Sequence, residues 1–220
     1  MPDDRDDQLP NVKVLTVCGS LQHRSANRSL LDVATGAVTS RGAAVDVFDR
    51  LADIPAFDAD RQSEVGAVVT DWRCRVAAAD VVLIAAPEYA GGLAGAVKNA
   101  LDWLVGSGEL YRKPVAIMSA GTTGGLHARR MLAQTLTWQG AYVVGELGVA
   151  APRTKSGPDG RFTDEGTLAA VEAVCAGLLE AVALAPAAVV TAARHVVGAL
   201  HVDVDHVAPP VDAAPFRAPR

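Results

Sequence analysis

Six consecutive apolar residues, Val81 to Ala86, stand between Asp80 and Pro87. A run this short and unbroken predicts a strand buried on both faces, closed by a proline that cannot extend the pairing. Four more strands are predicted at Lys13 to Cys18, Ala44 to Phe48, Pro114 to Ser119 and Ala141 to Val149. Helical spacing fills the intervals over Ser25 to Ser40, Glu64 to Ala78, Leu93 to Val105, Gly124 to Trp138 and Thr163 to Val182. In the first of these, Leu30, Leu31, Ala34 and Val38 share a face and Gly42 is the stop.

Alternating strands and helices imply an α/β protein whose parallel sheet is covered on both faces. Five strands fit a flavodoxin-like three-layer sandwich, with a five-stranded parallel sheet in the order 2-1-3-4-5. Ligands of such sheets bind at the carboxyl ends of the strands, where the chain reverses between strands 1 and 3. Residues 1–11 read as a polar tail and 12–184 as one domain. Beyond Pro186 lies an extension, 185–220, with a further helix over Ala187 to Leu200 and a tail from 207.

The net charge of −5 and the lack of a Lys/Arg run argue against a nucleic-acid partner. No apolar stretch reaches the length of a membrane span. Met1 to Gln8 is acidic and polar, unlike a secretory leader. Cys18, Cys74 and Cys175 are odd in number and far apart, which suits a reducing cytoplasm better than a disulfide framework.

Three loops leave the carboxyl ends of strands 1, 3 and 4, and all three are rich in small residues. The first, Cys18 to Asn27, joins a strand to a helix whose N-cap is Ser25. From Gly19 to Leu31 it holds no acid, while Arg24 and Arg28 are present. A helix start of this kind binds anions, although an ordinary capped turn has the same look. It lacks the patterns of the common ATPase and Rossmann loops. The second loop, Pro87 to Gly95, holds Gly91, Gly92 and Gly95, which let backbone approach a flat ligand. The third, Ser119 to Gly125, is small and rich in donors. Clustered at one sheet edge, the loops point to a phosphate-bearing ring system.

These loops carry a recognisable pattern. The chain resembles the NADPH-dependent FMN reductase family, flavodoxin-like enzymes that include quinone, azo-dye and chromate reductases. Gly19, Ser20, Leu21, Ser25 and Asn27 match the family's G-S-L-R-x-x-S-x-N. Pro87, Glu88, Tyr89, Gly91, Gly95, Lys98, Asn99, Ala100, Asp102 and Trp103 match its P-E-Y-N-G-S-x-x-G-x-x-K-N-A-x-D-W. Three positions depart: Gln22 stands for Arg, Ala90 for Asn and Gly92 for Ser.

The resemblance implies that Ser20, Gln22, Ser25 and Asn27 hold an FMN phosphate. It further implies that Pro87, Glu88, Tyr89, Ala90 and Gly91 line the isoalloxazine, largely through backbone. Ser119, Gly121, Thr122 and Gly124 would close the other side. It implies ping-pong transfer from NADPH (or NADH) through the flavin to a small acceptor such as a quinone, azo compound, metal oxyanion or free flavin. No protein side chain is an essential acid or base in this scheme. A homodimer or homotetramer is implied too, with Lys98, Asn99, Asp102 and Trp103 partly interfacial. An electron carrier of flavodoxin type and a flavin-binding regulatory protein remain as alternatives.

Other candidates read as bland. His201, Asp203, Asp205 and His206 invite a metal but lie in the extension. Cys18 reads as a small hydrophobe at a strand end. Arg129 and Arg130 read as a solvated face. Ser20 lacks the elbow of a serine hydrolase.

Overall fold

The apolar runs pair side by side, all parallel. The computed structural model describes residues 12–210. The expected tail at 1–11 lies outside the described residues, as does everything past Pro210. Strands β1 (Lys13–Cys18), β2 (Ala44–Phe48) and β3 (Val81–Ala85) match the predicted runs closely. Two short strands follow, β4 (Glu88–Tyr89) and β5 (Gly92–Leu93), then β6 (Pro114–Gly121) and β7 (Tyr142–Ala150). The main sheet has the order β2-β1-β3-β6-β7, which is the flavodoxin-like order in its five strands. Val14 sits between Val45 and Val81, and Val82 is opposite Val115, so the centre of the sheet is apolar in every direction.

Helices α1 (Ala26–Ser40) and α5 (Glu165–Glu180) cover one face of the sheet. Helices α2 (Ala67–Ala78), α3 (Gly95–Asp102) and α4 (Leu126–Trp138) cover the other. Alternate strand residues serve the two layers. Leu15, Val17, Val82 and Ile84 pack on the α2–α4 side, while Val14, Cys18, Leu83 and Met118 pack on the α1–α5 side. Helix α2 starts three residues later than expected because Gly66 is its cap. Helix α3 starts two residues late because Gly92 and Leu93 are spent in strand pairing.

Helix α6 (Pro186–Ala199) continues the α2–α4 layer. Pro186 sits in its first turn, where the missing N–H costs nothing. Val189, Val190, Ala193 and Val197 join the same buried cluster as the sheet and α4. Val207 and Ala208 are buried too, so packed chain runs past the point where the sequence suggests a tail. Polar ties hold it. Arg130 Nε donates to Leu200 O at 2.8 Å, and the Tyr142 hydroxyl donates to Pro209 O at 2.9 Å. Arg112 Nη2 donates to Pro210 O at 3.1 Å, and Trp138 stacks on His206 with centroids 4.2 Å apart.

Candidate functional site

Strand β1 runs straight into the first loop. Gly19 N donates to Ala85 O at 2.7 Å, extending the pairing by one residue. A Cβ on Gly19 would lie 2.5 Å from Val97 Cγ2 and 3.0 Å from the Ala86 backbone, so only glycine fits this crossing. Ser20 is buried, and its hydroxyl accepts from Gln22 N at a long 3.4 Å. Ser25 caps α1, its hydroxyl accepting from Arg28 N at 3.1 Å. The first turn of α1 holds no acid, and Gln22 and Arg24 are exposed beside it. The free amides and partial positive charge of this helix start remain open to an anion.

Asn27 takes another part. Its Nδ2 donates to Ala120 O and its Oδ1 accepts from Ala120 N, both at 2.9 Å and both buried. The side chain is therefore spent on the third loop, and what Asn27 offers a phosphate is its backbone N–H in the first turn of α1. Its carboxamide pairs like a strand with the backbone of the third loop and fastens that loop to the first.

The second loop is a tight hairpin. Strands β4 and β5 pair antiparallel, with Tyr89 opposite Gly92. Ala90 and Gly91 turn the corner with φ of +50° and +71°. Left-handed geometry at both central residues is the pattern of a type I′ turn, which favours Asn-Gly. The Glu88 side chain reaches α4, which leaves its backbone to face a flat ligand. Its Oε2 accepts from His127 N at 2.8 Å and Ala128 N at 3.2 Å, the second and third residues of α4. Tyr89 is 53% exposed at the rim.

The third loop folds back on β7. Ala151 N donates to Gly121 O and Thr122 O, and Thr123 bridges Ala150. Gly124 is buried against Gly148 and Ala150 with φ of +79°. Ser119 is 0% exposed, with no hydrogen-bond partner for its hydroxyl, so it lies beneath the edge rather than on it. Gly121 and Thr122 remain accessible there. Arg129 does not belong to a solvated face. It pairs with Glu146, and its Nε donates to Gly124 O at 3.1 Å, pinning the loop. Burial lowers its pKa, with the nearby Glu88 charge opposing.

A cleft of about 290 Å³ opens between the first and second loops, lined by Gly19, Leu21, Gln22, Tyr89, Ala94, Gly95 and Ala96. It unites Gln22 and Tyr89 as expected, but no third-loop residue lines it. It includes Gly95, as the glycine pattern suggests, and adds Ala94 and Ala96 beside it at the start of α3. Ala94 caps α3 without a side-chain bond, and the first turn is free of acid. The signal was present: a helix opening Ala-Gly-Ala, with no polar cap, leaves its first amides to a ligand or to water.

Among the described residues no group of three or more His, Cys, Asp or Glu is placed to hold a metal. Asp203 pairs with His206 at 3.2 Å. Burial raises the Cys18 thiol, whose Sγ donates to Ser20 O at 3.6 Å. Burial pushes Cys175 up to about 12.

The profile of the NADPH-dependent FMN reductase family matches residues 12–155. The chain belongs to this family. Quinone reductase of Escherichia coli K12 is 34% identical over 170 residues, covering 71% of this chain and 88% of that protein. An NAD(P)H-dependent FMN reductase of Pseudomonas aeruginosa is 32% identical over 162 residues, covering 70% and 86%. The structure of a flavoenzyme NAD(P)H:(acceptor) oxidoreductase from Paracoccus denitrificans superposes with a TM-score of 0.65. At 23% identity, over 78% of this chain and 97% of that one, it shares the fold.

Set against the family's motifs, the K-N-A-x-D-W segment proves to be an internal brace. Asn99 Oδ1 accepts from Phe57 N at 2.8 Å, and its Nδ2 donates to Pro55 O at 2.9 Å. Trp103 is buried, and its Nε1 donates to the same Pro55 O at 2.9 Å. Asn99 and Trp103 fasten the loop after β2 to α3. Lys98 and Asp102 form an exposed i,i+4 pair.

The departure at Ala90 has a local cost. A non-glycine residue at positive φ without the local hydrogen bonding of Asn is strained by about 1 kcal/mol. Ala90→Asn is expected to raise stability by about 0.5–1 kcal/mol in denaturant unfolding. No change in midpoint would mean that the turn relaxes in solution.

Proposed function

We propose that the protein is an FMN-dependent NAD(P)H oxidoreductase acting on a small acceptor such as a quinone. One observation carries the reading: the first loop, the acid-free start of α3 and the Tyr89 hairpin line one cleft, in a chain of this family. The residues fit the cofactor. Ser25, Gln22 and the loop amides suit a phosphate, and Leu21 and Tyr89 supply apolar wall. Bound FMN would supply hydride uptake from the reduced nicotinamide and its delivery to the acceptor.

The protein's own part is positioning. Ser25 and Gln22 orient the phosphate end. Pro87, Ala90 and Gly91 present backbone to the ring, with Gly121 and Thr122 framing the far side and the buried Gly124 supporting them. Tyr89, exposed at the rim, is placed to flank the incoming substrate. Purified protein with added FMN and a quinone is expected to oxidise NADPH or NADH, followed at 340 nm. Absence of turnover with every acceptor class would overturn the reading and favour an electron carrier.

Gln22 is a neutral group where a cation would form charge-assisted bonds to phosphate. Gln22→Arg is expected to tighten FMN binding about tenfold, measured by quenching of flavin fluorescence. Unchanged or weaker binding would move the phosphate away from Gln22. A homodimer or homotetramer is supported by Leu126, Met131 and Trp138, which are 49%, 43% and 65% exposed along α4. Light scattering is expected to give at least twice the chain mass, and a monomer would refute this. Three free cysteines support a cytoplasmic setting, checked by cell fractionation. Among the described residues no helix is long and apolar enough to cross a membrane.

A further inference from the structure

Helix α4 begins without a local cap. Gly125 precedes it at φ +65°, and no side chain of its own segment bonds the first turn. A capping Ser or Asp cannot stand at that position. A Cβ there would lie 2.0 Å from Ser119 Oγ, whose buried hydroxyl fills the space. The cap must come from elsewhere, and it comes from Glu88, which lies 39 residues before His127 in the chain. One oxygen, Oε2, takes both His127 N and Ala128 N.

Glu88 is also the first residue of the hairpin. It pairs with Leu93, and its neighbour Tyr89 lines the cleft. The second loop is thus bolted to the start of α4 through a single carboxylate. Among the described residues no other polar contact joins the hairpin to the first turn of α4; Met131 meets Gly92 and Leu93 one turn further along the helix.

We propose that Glu88 is a positioning residue of the cofactor site: by capping α4 it fixes the hairpin whose Tyr89 lines the cleft. The proposal rests on the reading of that cleft as the FMN site. Glu88 acts here through the hairpin, its carboxylate being spent on α4.

Three substitutions test this. Glu88→Ala removes the cap. Glu88→Asp keeps the charge but draws the oxygen back by one methylene. Glu88→Gln keeps a carbonyl oxygen at the same reach and loses the charge. Amide hydrogen exchange of the flavin-free protein reads the cap, with the Ser25-capped Arg28 amide as reference. FMN affinity by fluorescence quenching reads the site. Glu88→Ala and Glu88→Asp are expected to speed exchange at His127 and Ala128 and to weaken FMN about tenfold, and Glu88→Gln to restore both to within about threefold.

Faster exchange in Glu88→Ala with unchanged FMN affinity would make the cap purely structural and overturn the proposal. Glu88→Gln behaving like Glu88→Ala would overturn it as well, since a neutral acceptor should suffice. If the wild-type protein binds no FMN, the FMN reading falls, and the proposal with it. That failure is told apart because the exchange measurement needs no flavin.

Discussion

Asn27→Ala is expected to lower the unfolding free energy by about 2–5 kcal/mol. The substitution strips the partner from both the N–H and the carbonyl of Ala120, each now bonded at 2.9 Å. Asn27 and Ala120 are both buried, so water does not easily take over. Each orphaned backbone group costs about 1–3 kcal/mol. Urea unfolding with an unchanged slope gives the figure. A loss below about 1 kcal/mol would show that the two loops hold together by packing alone. The loss should also reach ligand binding, because Ser25 and Gln22 stand on the loop that Asn27 anchors.

A chain ending at Ala185 is expected not to yield a soluble, cooperatively folded domain. Removing α6 and the segment to Pro210 takes away five buried valines and a buried leucine: Val189, Val190, Val197, Leu200, Val202 and Val207. Full burial of such a side chain contributes about 1.5–3 kcal/mol, before the entropy of ordering the segment. The sum is comparable with the net stability of a whole domain, about 5–15 kcal/mol. The apolar surface exposed on α4 and β7 would add an aggregation hazard. Soluble yield and the near-ultraviolet circular dichroism of the shortened chain decide the matter. A soluble product with the full-length melting temperature would show the extension to be an accessory.

The sheet was legible because buried parallel strands leave unbroken apolar runs. Val81 to Ala85 and Pro114 to Met118 have no other ready reading. Ser25 was legible as a cap because capping is local, and its bond to Arg28 N spans three residues. Asn27 and Glu88 were not. A polar residue beside a glycine-rich loop looks the same whether it meets a ligand or a distant backbone, and Asn27 meets Ala120 across 93 residues. The hairpin escaped notice because Ala90 replaces the Asn that would have announced the turn. Ser119 was misplaced for a simpler reason: the strand runs on to Gly121, two residues further than its apolar run suggests, so Ser119 stays inside. Val189, Ala193 and Val197 do recur every four residues, but an Ala/Val-rich stretch after a proline carries no sign of what it packs on.

The ties at Pro209 and Pro210 also decide which way the molecule faces when it is held. Tyr142 opens β7, and Arg112 lies two residues before β6, so both mark the amino edge of the sheet. The cleft lies at the opposite, carboxyl edge. Strand β7, nine residues long at roughly 3.3 Å each, puts about 25–30 Å between them. A dye, a fused partner or an electrode linker attached at Pro210 itself would leave the cleft facing outward. Substrate exchange should then proceed on an immobilised molecule much as it does in free solution.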